Sequence, residues 1–382
     1  MNCITAISFI SAATIVGGWC STAQAQSVTL YGIVDTGVEY IHNANPAGHS
    51  LVRIPPLTGE SPSRWGLKGV EPLGNGYKAI FAFENGFTVG TGNSGQGGRL
   101  FGRQALVGID GPLGVLTFGR QYSMLLWASL YADFIGPNIY GSASLDTWLA
   151  APRTDNSVAY RKSMNGLTVG GSYSFGRDAS PTGGSNTPGE GSCAGSIAGN
   201  FTACREWSAL LQYDANNWGV ATAYDRQNGG PGSAVNLFNG IAPLAMTSSS
   251  NSDSRLVVDG YLKFEKFMFG AMWINRRVEV NSMSTPSVTS NQFVIEGQYK
   301  LTPFLVFDGL VQRIGDSQQD TRATMQLLRA TYLLSVRTSV YAQIAFLQNS
   351  RNGAYSIVSA GGAVPAKGTN QSAGMIGIRH FF

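Results

Sequence analysis

The chain has 382 residues, a formal net charge of +4, and only 13% charged side chains, about half the ~25% of a typical soluble domain. So small and scattered a charge excludes a nucleic-acid partner. The apolar content, 43%, is ordinary, and its one long run lies at the N-terminus, which excludes a helical membrane protein needing ~20 apolar residues per span.

In chain order, residues 1–25 read as a secretory signal, with an apolar run from Ile4 to Trp19 followed by the small-x-small site Ala23-Gln24-Ala25. Its first residues carry no Lys or Arg. Residues 26–382 then read as one barrel unit. Cys3 and Cys20 leave with the signal; Cys193 and Cys204 remain in a Gly/Ser-rich segment. An exported protein meets an oxidising compartment, so these two are expected to be bridged.

From Ser27 onward one unit repeats: about ten residues of alternating polarity, then a break. Short breaks fall at 71–76, 110–114, 164–166, 214–217, 265–266, 300–303 and 333–335. Long breaks fall at 42–62, 88–99, 122–155, 177–205, 227–253, 279–290, 315–320 and 348–372. Long and short breaks alternate, beginning and ending with a long one. That is the pattern of an up-and-down barrel with turns at one rim and loops at the other, and it separates sixteen strands. The expected fold is all-β: a 16-stranded antiparallel transmembrane β-barrel with an inward-folded third long loop.

Strand faces are legible in several segments. In 255–264, Leu256, Val258, Gly260, Leu262 and Phe264 oppose Arg255, Val257, Asp259, Tyr261 and Lys263. Segment 292–301 sets Phe293, Ile295, Gly297, Tyr299 and Leu301 against Gln292, Val294, Glu296, Gln298 and Lys300. Alternation alone does not separate a membrane barrel from a soluble sandwich. Aromatics near strand ends favour the barrel, among them Tyr31, Trp65, Trp207, Tyr213, Trp218, Phe264, Phe267 and Tyr299, which read as interfacial girdles. Segment 100–110 lacks clean parity and is expected to hold a bulge or a subunit contact. The last residues read as a strand with Ile376, Ile378, His380 and Phe382 on one face, expected to pair with the first strand and close the barrel.

The motifs Ser27-Val28-Thr29-Leu30-Tyr31-Gly32-Ile33-Val34-Asp35, Ser63-Arg64-Trp65-Gly66-Leu67-Lys68-Gly69-Val70-Glu71, Gly114-Val115-Leu116-Thr117-Phe118-Gly119-Arg120-Gln121, Asn156-Ser157-Val158-Ala159-Tyr160-Arg161 and the terminal Arg379-His380-Phe381-Phe382 together resemble those of the general trimeric Gram-negative porins of β-proteobacterial type. The resemblance covers essentially all of 26–382. It implies a homotrimer in the outer membrane, in contact with lipid and lipopolysaccharide, that passes small ions and hydrophilic solutes by passive diffusion. It also implies that the aromatic strand ending at Phe382 is read by the insertion machinery.

The third long break, 122–155, is apolar for a loop, with Leu125, Leu126, Trp127, Leu130, Tyr131, Phe134, Ile135, Ile139, Tyr140, Leu145, Trp148 and Leu149. Such a loop avoids being an aggregation hazard by folding into the barrel, as the third long loop does in the family. The resemblance further implies a basic wall opposite that loop. Arg64, Arg120 and Arg153 fall in the matching motifs, and Lys68 shares Arg64's face. The alternative is that these arginines are scaffold, each paired with a carboxylate such as Glu84 or Asp35. The loop's own acids are Asp133 and Asp146, with Asp155 at its end. Where many general porins carry Pro-Glu-Phe-Gly, this chain has Asp133-Phe134-Ile135-Gly136-Pro137. Weak anion selectivity is therefore expected.

His42 and His49 in the first loop do not make a metal site or a catalytic set. No Gly-rich phosphate loop opens a helix, and no cofactor is implied. Other readings are a substrate-selective anion or dicarboxylate channel and a surface-exposed adhesin-type barrel; the inward Tyr261 and Tyr341 are too few for a sugar track. Saturation at low solute separates the first from a general channel, and absence of conductance separates the second.

Overall fold

The computed structural model describes residues 27–56, 58–146, 152–177, 193–280, 287–359 and 362–382; the signal segment 1–25 lies outside them. Sixteen long strands form one sheet: β1 Ser27–His42, β2 Arg64–Gly74, β3 Tyr77–Gly86, β4 Gln104–Gly111, β5 Gly114–Tyr122, β6 Arg153–Met164, β7 Leu167–Ser174, β8 Glu206–Asp214, β9 Trp218–Asn228, β10 Ser252–Lys263, β11 Phe267–Glu279, β12 Val288–Lys300, β13 Leu305–Asp316, β14 Thr321–Leu333, β15 Thr338–Asn349 and β16 Gln371–Phe381. Each pairs antiparallel with the next, and β16 pairs with β1, so the sheet closes. Closure satisfies every strand's backbone without an open edge, which a bilayer requires.

The alternating pattern places charge inside and apolar surface outside. On β10, Arg255 and Val257 are buried within the lumen, whereas Val258 and Leu262 face out. Phe293, Ile295 and Ile376 are also exposed on the outer wall, as a lipid-facing belt demands. Aromatic pairs mark its edges: Phe267 stacks on Tyr299 at 4.6 Å, and Trp218 lies 5.5 Å from Tyr213. Tyr31 corrects the sequence reading. It faces the lumen and donates to Glu84 Oε2 at 3.0 Å, so it is no girdle residue. No bulge falls within 100–110. Residues 100–103 precede β4, whose own parity is clean, and the register shifts fall on β2 between Pro72 and Gly74 and on β5 between Gly119 and Gln121.

Closure runs from Ile33 opposite Phe381 to His42 opposite Ser372. The N-terminal part of β1, Ser27 to Ile33, pairs with β2 instead. Ile376, Ile378, His380 and Phe382 point outward, and Phe382 exchanges two backbone hydrogen bonds with Gly32, each 3.1 Å. A Cβ at position 32 would stand 2.2 Å from the Phe382 ring, so the glycine makes room for the terminal aromatic. Deleting Phe382 is expected to lower the yield of folded barrel several-fold, read as heat-modifiable mobility on gels. Barrels that do fold should conduct normally; full yield with altered conductance would contradict this.

The core lies in the lumen, where the loop joining β5 to β6 packs against the wall. Its Ile135, Ile139, Tyr140 and Leu145 join Val257, Ile274, Met325, Tyr355 and Ile357 in one cluster. Burying one such side chain is worth about 1.5–3 kcal/mol, so this contact anchors the loop.

Candidate pore constriction

The inward loop starts with a short helix, α1 (Met124–Ser129), and continues through a tight turn at Gly136, φ +70°, where Asp133 Oδ1 accepts the Gly136 N–H at 2.8 Å. A positive φ favours glycine there. The loop is fastened to the wall by named bonds. The Met124 N–H donates to Ser208 Oγ, and the Ile135 N–H to Glu296 Oε2. Gln312 and Gln292 donate to the carbonyls of Gly141 and Ser142, each at 2.9 Å. Gly270 on β11 lets the loop backbone approach: a Cβ there would meet the Ala132 carbonyl oxygen at 2.1 Å. Tyr140 donates to Glu39 Oε1 at 2.8 Å; burial, reinforced by that carboxylate, raises its hydroxyl above the usual phenol range, so it remains a donor.

Other loops also enter, which the sequence did not signal. The first loop donates Thr58 Oγ1 to the Pro137 carbonyl, and Gly59 O accepts the Ile139 N–H. Its Glu60 carboxylate lies 3.3 Å from Arg329 and 3.1 Å from Arg379. The last loop buries Tyr355 and Ile357, and the Ser359 N–H donates to Ile139 O at 2.8 Å. The segment Pro137 to Ile139 is thus clamped from both sides.

The basic wall assembles on β2–β6. Arg64 Nε lies 3.7 Å from Glu84, and Arg103 bonds the same carboxylate at 2.5 Å. Arg120 and Arg99 converge on Asp155, at 2.5 Å and 3.0 Å. Arg153 lies over the Tyr122 ring at 5.0 Å and donates to its hydroxyl at 3.4 Å; among the described residues no carboxylate pairs with it. Lys68 is exposed in the lumen, with Nζ 5.3 Å from the Tyr31 ring. Arg64 and Arg103 thus share Glu84, Arg99 and Arg120 share Asp155, and Arg153 rests on Tyr122, so four of these five arginines form ion pairs of the kind the scaffold alternative describes. Arg103 and Arg99 escaped the sequence reading because they precede β4 and fall outside its alternation.

The acids divide. Asp133 remains partly exposed, bonded to Gly136 N–H and Ser142 Oγ. Asp146 does not face the channel. It is buried in a two-point contact with Arg255, 2.8 and 3.1 Å, with Arg276 at 3.8 Å, and it anchors the loop. The wall supplies acids that a search of the loop alone misses. Asp259 on β10 has Asp133 and Asp214 as its charged neighbours, and Glu296 on β12 lies beside Asp133. In a barrel of sixteen strands, β10 and β12 stand directly across from β2 and β4. The arginines of β2–β6 lie on one side of the lumen, and the carboxyl groups of Asp133, Asp259 and Glu296 gather on the other, where Arg255, Arg276 and Lys263 also stand.

Cys193 and Cys204 are bonded to one another across 11 residues of sequence separation. Closing a loop of that size stabilises by about 2–3 kcal/mol. Cys204→Ala is expected to speed trypsin cleavage at Arg205 without changing ion conductance; equal cleavage rates would show that the loop needs no staple.

A closed barrel with an apolar outer belt, a polarised lumen and a loop folded into it defines a pore protein of the outer membrane. The model of the Gram-negative porins matches residues 11–352, and the chain belongs to that family. It is 28% identical to outer membrane porin protein 32 of Delftia acidovorans over 98% of this chain and 99% of that protein. An outer membrane porin protein of Bordetella pertussis is 41% identical over 43% of this chain, a match spanning 47% of that protein's length. The fold is shared with an anion-selective porin from Comamonas acidovorans, with a TM-score of 0.74, 23% identity, and coverage of 94% of this chain and 100% of that one.

Proposed function

We propose that this chain forms a water-filled channel through which small hydrophilic solutes diffuse passively, with a modest preference for anions, and that it works as a homotrimer. The observation that carries the anion preference is the arginine set on β2–β6, in which Arg64 and Arg103 share Glu84, Arg99 and Arg120 share Asp155, and Arg153 pairs with no carboxylate among the described residues. Fixed positive charge along a narrow wall concentrates anions. The name of the Comamonas porin agrees with that preference. Asp133, partly exposed on the inward loop, keeps the preference modest, because it draws cations along its own side. The apolar outer belt suits lipid contact, and exposed Arg322 at the loop-side end of β14 suits the phosphates of lipopolysaccharide.

Planar-bilayer recording tests each part. Conductance in three equal steps, nearly linear in salt, is expected for a trimer of general channels. Saturation at low concentration of a small dicarboxylate would instead favour a selective channel. In a salt gradient the reversal potential should have the sign of chloride preference; a clear cation preference would sink the selectivity claim.

A further inference from the structure

A barrel lumen that conducts ions is normally polar throughout. Here part of it is not. On the inner face of β3 and β4, Ile80, Ala82 and Leu106 stand together, and with Met124 and Trp127 of α1 they line a recess of about 190 Å³. The polar side chains at its edge do not offset this: Thr117 Oγ1 donates to Gln121 Oε1, so these two satisfy each other. Arg161 forms one end of the recess. Its guanidinium centre lies 3.2 Å from the Trp127 ring centroid, and among the described residues no carboxylate pairs with it. Gly170 on β7 permits that arrangement, since a Cβ there would come 2.8 Å from both Arg161 Cγ and Met124 Sδ.

We propose that this recess is a subsite for flat, apolar monocarboxylates, of which benzoate is the simplest probe. The inference rests on the channel reading above and names a class of solute that the channel retains in passing. An apolar cavity of ~150 Å³ accepts a benzene ring, so the volume suits one ring. The ring occupies the surface formed by Ile80, Ala82 and Leu106, and the carboxylate meets the Arg161 guanidinium in a charge-assisted pair. The indole already holds Arg161 by a cation–π contact, which orders the guanidinium before the anion arrives. Chloride and acetate have no apolar body to fill the recess, so they pass without dwelling.

The test uses the full chain in planar bilayers bathed in potassium chloride, with sodium benzoate or sodium acetate added at equal concentrations. Benzoate is expected to reduce the chloride current saturably, with half effect in the millimolar range, whereas acetate does not saturate. Arg161→Gln should raise the half-saturating benzoate concentration about tenfold, and Leu106→Asn, which changes no charge, should raise it several-fold. Lys263→Gln removes a lumen cation outside the recess and should leave it unchanged. Benzoate acting like acetate on the unaltered protein, or saturation surviving both recess variants, would overturn the proposal while leaving the channel intact. Absence of conductance steps would overturn the channel reading and this one together.

Discussion

Replacing Arg64, Arg103 and Arg153 together with glutamine is expected to turn the channel from chloride-preferring to potassium-preferring. The three residues come from β2, the start of β4 and β6, yet they share one neighbourhood through Glu84 and Tyr122. Their removal leaves Arg99 and Arg120 bound to Asp155, so that side of the lumen loses nearly all its uncompensated charge. The carboxylates of Asp133 on the inward loop and Asp214 at the end of β8 remain. A unit charge ~5 Å from a passing ion in water is worth about 0.8 kcal/mol, roughly fourfold in local ion concentration, before screening. Three such charges change the permeability ratio by an order of magnitude. The shift should be larger in 0.1 M salt than in 1 M, where the Debye length falls to about 3 Å. Reversal potentials at both salt levels measure it. A ratio that keeps its sign in dilute salt would mean that the arginines do not set selectivity.

Removing Asp146 is expected to act on stability instead. Asp146 is buried against Arg255, which is itself almost fully enclosed, and the cluster continues through Asp253 and Arg276. Asp146→Ala deletes one side of a buried ion pair and leaves the guanidinium short of charge, a change that costs about 3 kcal/mol or more. Asp253 keeps Arg255 partly paired, which holds the loss near the lower end. The fastening that fails is the one nearest the returning end of the loop. We expect noisier single-channel currents, faster trypsin cleavage at Arg153, and little change in ion preference. Asp146→Asn preserves the oxygen acceptor and should fall between. Quiet channels and unchanged cleavage in the alanine variant would show that the hydrogen bonds from Gln312 and Gln292, with the apolar contacts, suffice to hold the loop.

These two variants separate what was legible in the chain from what was not. Arg64, Arg120 and Arg153 are recognisable because each sits in a short motif whose strand fixes its direction. Arg103 has equal standing in the folded lumen but precedes β4, where no alternation applies. Asp146 reads as a constriction acid when only its loop is considered; in the folded chain it faces Arg255, 109 residues away in sequence. Glu296 and Asp259 were plainly inward by parity, yet nothing local relates them to Asp133 on the loop.

The strand count, the alternation of long and short connections, the closing role of the last strand and the anomalous third loop follow from the sequence by itself. The physical reason is that each is a periodic or local property: a period of two, a break in it, or an apolar composition where water would otherwise be met. Which charges face each other across the lumen, which loops enter it and where an apolar recess opens in its wall were decided only by the tertiary structure. Closure brings strands eight apart face to face, and the enclosed space is shared by several loops whose positions no local pattern records.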